Sequence, residues 1–274
     1  MGALIFLFII IVIIVLAYGG SSDSNRTNIT TAYKPTTTYT RESEAERLLR
    51  EQKQHQKQEE ERLKAIKLQQ EQEDRRREDV IRMKETERKK DFYKQQMCKT
   101  DWPLYQNVLS NNNINVLYHF TDRANLQSIK RYGALYSWYY CISNNIKIPM
   151  PGSADLSRVL DSQFNLHNYV RISFTRNHPM MFIALKQNRI NNPVILEIDP
   201  EIVFWKNAKY ANKNATRSDV SIGSEIDDFK RIRFDIVKLR NHFDLDDSNK
   251  PYFQAEVLIL EKIPIEFVKN IDRL

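Results

Sequence analysis

Cysteine is nearly absent: Cys98 and Cys141 are the two in a chain of 274 residues. They form no metal-ligand spacing and no disulfide framework. So few thiols suit a reducing compartment. The five histidines fall in no ligand pattern either, and no metal is expected. Residues 41 to 96 hold neither glycine nor proline, which leaves helix as the natural state of that stretch. No lysine or arginine precedes the apolar run 3–18, so the basic leader of a signal peptide is missing. Ala17-Tyr18-Gly19 is also a poor cleavage site.

What is present divides into four stretches, with a formal net charge of +7 over the whole chain. The run 3–18 would reach roughly 24 Å as a helix, so residues 1–20 are expected to form an uncleaved transmembrane anchor. Arg26, Lys34 and Arg41 follow it, which predicts a single-pass membrane protein with its C-terminal domain in the cytoplasm. Residues 21–40, rich in Ser, Thr and Asn, read as a flexible linker. Residues 41–97, rich in Glu, Gln, Lys and Arg, read as a charged helical stalk of roughly 84 Å. Leu49, Leu63, Ile66 and Val80 fit a heptad seam that Gln56, Arg77 and Lys84 interrupt. A solvated single helix, a partly disordered rod and a weak coiled coil, through which copies self-associate, all fit this pattern.

From residue 98 to 274 aromatics become frequent and short apolar runs alternate with turns. Strands are predicted near 116–120, 169–174, 194–198 and 255–260. Helices are predicted near 123–132, 179–186, 224–237 and 264–270. This is a mixed α/β (α+β) domain large enough for its own core. Thr121 is placed to cap the first helix and Gly133 to end it, while Pro179 suits the first turn of the next.

The most informative residue is Glu256, a carboxylate inside the apolar run 253–260. A buried carboxylate is costly unless something uses it. The plain alternative is an outward position on a partly exposed strand. The run 116–121 ends in a second polar pair, His119 and Thr121. Two strands distant in sequence, each with a polar side chain, predict a cleft between them. The stretch 205–217 carries Lys206, Asn207, Lys209, Tyr210 and Arg217. Cations neutralise phosphates, amides read base edges and aromatics stack on bases. Read as a loop, it is either a nucleic-acid contact or merely a soluble surface.

Several pieces occur in one order: Tyr118-His119-Phe120-Thr121; Ala124-Asn125-Leu126 and Gly133; His167-Asn168-Tyr169-Val170; Pro179-Met180; Phe204-Trp205-Lys206-Asn207-Ala208; Gln254-Ala255-Glu256. Over about residues 114–272 the chain resembles the DarT family of DNA-targeting ADP-ribosyltransferases. The resemblance implies an ADP-ribosyltransferase-like split β-sheet with flanking helices, and transfer of ADP-ribose from NAD to thymine in single-stranded DNA. It implies catalysis by Glu256 with an arginine, matched by Arg158 or failing that Arg131. NAD, consumed as substrate, would contact His119, Thr121, Asn125, Gly133 and Tyr169. The acceptor would contact Lys206, Asn207, Lys209, Tyr210 and Arg217.

Three departures stand out. Arg171 replaces the proline of the family's central strand, Arg176 lies one place early before Pro-Met, and Trp205-Lys206 replace a Thr-Asp. They leave thymine, another base, RNA and protein open as acceptors. The resulting expectation is a membrane-tethered toxin or defence effector with a macrodomain-type antitoxin as partner. A catalytically idle NAD- or nucleic-acid-binding module and a membrane-anchored coiled-coil scaffold are the alternatives.

Overall fold

Freed of glycine and proline, residues Glu44–Met97 form one uninterrupted helix, α1. The computed structural model describes residues 43–274. The expected anchor and linker lie outside the described residues. Among the described residues no helix is long and apolar enough to cross a membrane. The single-pass membrane localisation, and with it the transmembrane helix, is therefore corrected. α1 has the length, but it carries charged side chains throughout and buries none of its residues. Leu49, Leu63, Ile66 and Val80 are all exposed on it.

By chain contacts, residues Gln69–Leu274 form one compact unit. The 97/98 boundary expected from composition falls inside it. Tyr93 shows why: it stacks on Trp205 at 6.3 Å and meets Phe267 edge-on at 5.7 Å. Lys90 pairs with Asp199 at 2.8 Å, and Lys89 with Glu266 at 3.2 Å.

After α1 come helix α2 (Trp102–Asn111), strand β1 (Leu117–Asp122), helix α3 (Leu126–Tyr132) and strand β2 (Ala134–Tyr136). Helices α4 (Trp138–Ser143) and α5 (Asp155–Gln163) lead to strand β3 (Tyr169–Ser173). Helix α6 (Pro179–Lys186), strands β4 (Pro193–Ile198), β5 (Ala208–Ala211) and β6 (Ile222–Gly223) follow. The chain closes with helices α7 (Ile226–Lys230) and α8 (Phe234–Val237) and strands β7 (Glu256–Leu260) and β8 (Lys262–Pro264).

The strands form an antiparallel six-stranded sheet, ordered β4-β1-β3-β7-β5-β6, beside a two-stranded pair of β2 and β8. β1 and β7 are not neighbours, because β3 lies between them. The seam between β1 and β3 is thin. It has one backbone pair, Tyr118 with Ser173, whereas β1 runs alongside β4 from Leu117 to Asp122 and β3 alongside β7 from Tyr169 to Ser173. The sheet is thus split at that seam. Its core face packs Leu117, Ile172, Leu196, Val257 and Ile259 with Tyr105, Phe229 and Phe267.

Several local expectations change. Asp122, not Thr121, caps the first helical turn, accepting from the Ala124 N–H. Gly133 ends α3 at φ +70°, and no side chain or backbone crowds its Cβ position, so the requirement there is conformational. The 224–237 helix breaks into α7 and α8. The end expected to be a helix over 264–270 opens as β8, whose edge is taken by β2.

Candidate active site

A cleft of about 550 Å³ opens on one face of the sheet, within the usual range for a small-molecule site. Glu256, Arg171, His119, Thr121, Asn125, Tyr169, Arg158, Asp161 and Arg217 all line it.

Strand alternation sets this arrangement. On β7, Val257 and Ile259 enter the core, and the opposite face carries Glu256 and Leu258. Leu258 packs on Leu166, Ala211 and Ala215. Glu256 therefore sits on an enclosed face at only 5% exposure, not on an open one. Its Oε2 accepts the Ala215 N–H at 2.9 Å and Arg171 Nη1 at 3.1 Å. Among the described residues no hydrogen bond reaches Oε1. Burial pushes the Glu256 carboxyl above its ordinary range, against the opposing pull of Arg171 and the Ala215 N–H.

On β3, Val170 and Ile172 are buried while Arg171 faces the cleft. Its guanidinium reaches Asp161 Oδ1 through Nη2 as well as Glu256 through Nη1. Burial raises the Asp161 carboxyl too, with Arg171 as the counterweight. The Arg171 carbonyl meets His119 Nδ1 at 2.9 Å. A carbonyl only accepts, so Nδ1 carries the proton and Nε2 keeps a bare lone pair. Burial lowers the pKa of His119, which holds the ring neutral. The His119 side chain thus bridges β1 to β3 where the backbone ladder is thin.

Thr121 Oγ1 accepts from Asn125 Nδ2 at 3.0 Å. Asn125 also exchanges bonds with Met150, donating to its carbonyl at 2.7 Å and accepting its N–H at 3.0 Å. These two side chains fix the loop that ends at residue 154 against the start of α3. Tyr169 lines the cleft, with Lys209 Nζ 5.0 Å from its ring centroid. Gly133 does not line the cleft.

Arg158 reaches the cleft wall from α5, but its contacts are local. It donates to Ser153 Oγ, the Ser153 carbonyl and Asp155, and lies 3.8 Å over the Trp138 ring. Arg131 stays on the exposed side of α3, near Tyr132, and does not line the cleft. The arginine that touches Glu256 is Arg171. Sequence reasoning noted Arg171 only as a departure and passed over Asp161. The available signals were strand alternation, which puts Arg171 two places from Tyr169 on one face, and the i, i+3 spacing of Arg158 and Asp161.

The stretch 205–217 is not one loop, because β5 pairs with β7 through it. Only Arg217 of its five candidates lines the cleft. Arg217 and Lys213 both bind Asp219, and their hydrogen bonds, then their positive charges, hold its carboxyl well below the usual carboxylate range. Tyr210 is fully buried, with its hydroxyl donating to the Val203 carbonyl at 2.6 Å and accepting from Lys99. Lys206 turns to the Gln96 carbonyl, and Asn207 keeps a buried Oδ1 with no hydrogen bond. These residues support the sheet instead of facing the cleft. Among the described residues no cluster of His, Cys, Asp or Glu could hold a metal ion.

No curated protein matches the chain. Among solved structures, Thermus sp. 2.9 DarT in complex with ADP-ribosylated ssDNA is 15% identical, covering 57% of this chain and 80% of that one, at a TM-score of 0.48. The same Thermus protein in complex with NAD+ is 17% identical, covering 57% of this chain and 79% of that one, at 0.43. Thermosipho africanus DarTG in complex with ADP-ribose is 22% identical, covering 56% of this chain but 42% of that one, at 0.47. The family model described as "ssDNA thymidine ADP-ribosyltransferase, DarT" matches residues 118–273, which include β1 from its second residue, β3, β7 and every residue of the cleft discussed above. That match spans more than half of the chain, which belongs to the DarT family and is an NAD-dependent ADP-ribosyltransferase.

Proposed function

We propose that the protein transfers ADP-ribose from NAD to the ring nitrogen of thymine in single-stranded DNA, with Glu256 as its catalytic carboxylate. The observation that carries this reading is the enclosed Glu256 in the cleft lining, with both of its hydrogen bonds among the described residues falling on one oxygen. The bond between the nicotinamide nitrogen and ribose C1 breaks, and its electron pair leaves with neutral nicotinamide. The ribose becomes oxocarbenium-like, and a fixed carboxylate stabilises that charge. Thymine N3 then bonds to C1 and gives up its proton, for which Glu256 Oε1 is a suitable acceptor. Burial raises the basicity of that carboxylate toward the working pH.

The chemistry also explains a single strand. The one ring N–H of thymine in DNA is the one used in base pairing, so a duplex hides it and an unpaired base offers it. In this reading His119 Nε2 and Tyr169 contact NAD. Thr121 and Asn125 keep the cleft wall in place, and Arg158 serves the phosphates or the outer wall. Arg217 and Lys213 meet the DNA backbone at the rim.

The test uses the full chain with NAD and single-stranded oligonucleotides, followed by mass spectrometry. An ADP-ribose mass on a thymine-containing strand, absent from a thymine-free strand and absent with Glu256→Gln, supports the proposal. Equal labelling of the thymine-free strand, or labelling of RNA or protein alone, would change the acceptor. A toxin or defence role belongs to the same proposal. Expression of the wild-type chain would then arrest growth, Glu256→Gln would not, and a co-expressed macrodomain hydrolase would restore it.

A further inference from the structure

Arg171 has no part in the reaction just written, yet it is the side chain that touches Glu256. Its guanidinium spans two carboxylates, one on the sheet and one on α5. α5 buries none of its residues, so Asp161 reaches Arg171 from the cleft wall and not from the core. The Glu256 oxygen that Arg171 takes is the one that already accepts the Ala215 N–H. Both fixed bonds fall on Oε2, which leaves Oε1 free. Arg171 also fixes His119 through its carbonyl. One residue of β3 therefore contacts polar groups on both flanking strands, Glu256 on β7 and His119 on β1.

We propose that Arg171 and Asp161 are a positioning pair: Arg171 holds Glu256 by one oxygen, and Asp161 holds Arg171, so that the other oxygen faces the substrate. The cation is shared between two anions. That sharing keeps Glu256 ionised without tying its carboxylate so tightly that it cannot answer the charge on ribose. The proposal rests on the reading of Glu256 as the catalytic carboxylate.

The titratable groups that line the cleft with Glu256 bear on its pH behaviour. β3 supplies Arg171, α5 supplies Asp161 and Arg158, β1 supplies His119, and the loop before β3 supplies His167. His178 lies at the start of α6, and Arg217 follows β5. Burial keeps His119 neutral and lowers His178 to about 4, so neither adds charge near neutral pH. Arg158 and Arg217 are engaged by Asp155 and Asp219. Of the charged side chains in the cleft, His167 and Arg189 included, Arg171 and Asp161 are the ones that act on the Glu256 carboxyl, Arg171 lowering its pKa and Asp161 raising it. Activity needs that carboxylate ionised and is lost as pH falls through its pKa. Removing Arg171 raises the pKa, so the loss comes at higher pH. Removing the Asp161 charge takes away a like charge and gives Arg171 wholly to Glu256, so the loss comes at lower pH.

The experiment measures nicotinamide release by the full chain across about pH 5 to 9, a readout independent of the acceptor. Arg171→Met is expected to move the acid limb up by roughly one unit or more. It should lower kcat at neutral pH by about tenfold or more while KM for NAD changes little. Arg171→Lys should recover part of the shift, because it keeps the charge but cannot span both carboxylates. Asp161→Asn should move the limb down. Shifts of opposite sign from two neighbouring residues are not what a shared loss of packing produces. The proposal fails if the folded Arg171→Met and Asp161→Asn proteins shift the limb in the same direction, or not at all. If Arg171→Met does not fold, Arg171→Lys and Asp161→Asn must still shift oppositely for the proposal to stand. Glu256→Gln separates the two levels. An inactive Glu256→Gln with unmoved limbs overturns the pair alone, and an active one overturns the reading beneath it.

Discussion

Two arginine–glutamate pairs in this chain look alike in distance and differ in consequence. On α1, Arg77 Nη2 lies 2.8 Å from Glu73 Oε1, one helical turn away, with both side chains mostly in water. In the cleft, Arg171 Nη1 lies 3.1 Å from Glu256 Oε2, with the Glu256 side chain 7% exposed. Water and salt screen the first pair, so it does little beyond keeping a charged helix soluble. The second is shielded, shares its cation with a further carboxylate and lines the cleft. Enclosure, not separation, makes an ion pair consequential.

The sharpest way to break that comparison is Glu256→Gln. Turnover should fall by about a thousandfold or more, because the replacement keeps the shape and removes the charge. Nicotinamide release and DNA labelling would both report it, while thermal unfolding should show a folded protein. A loss below tenfold would put Glu256 on the same footing as the rod's glutamates. The next largest effect falls where the helix stops being solvated. Tyr93→Ala removes the ring packed on Trp205 and Phe267 and should cost about 2 kcal/mol, seen as a lower Tm with activity per folded molecule retained. An intermediate case lies at the cleft rim. Asp219→Asn releases Lys213 and Arg217 from a carboxylate that competes with phosphate. DNA binding measured by fluorescence anisotropy should tighten several-fold, with a steeper dependence on salt. Glu73→Gln is the smallest. Tm and turnover should stay at wild-type values, and a clear drop in either would show that the rod's surface pairs matter after all.

Sequence alone carried part of this distance. β1, β3, β4 and β7 each announce themselves as short apolar runs, and α6 starts at Pro179 and ends at Lys186 as expected. A carboxylate within an otherwise apolar strand was legible as enclosed. The strand order was not, because nothing local says that β3 lies between β1 and β7. Arg171 was therefore read as a substitution when it sits at the centre. β5 was hidden for a different reason. Lys206, Asn207, Lys209 and Tyr210 have the composition of a nucleic-acid loop, yet alternation sends Tyr210 into the core while Lys209 stays beside Tyr169. The bonds of Arg158 to Ser153 and Asp155 were invisible for want of the loop before α5.

The seam between β1 and β3 has a practical consequence for anyone who wants an inactive version of this protein. A single backbone pair and one imidazole hold the two halves of the sheet together there. A substitution at His119 would be read by a genetic screen as loss of activity, but it would also remove a brace of the fold. Cells would then clear the protein or aggregate it, and its abundance would confound every later comparison. Position 256 lies away from that seam, and Glu256→Gln leaves a carbonyl oxygen that can still accept from Arg171 and the Ala215 N–H. It is the better place to silence the chain when an intact, inert copy is needed.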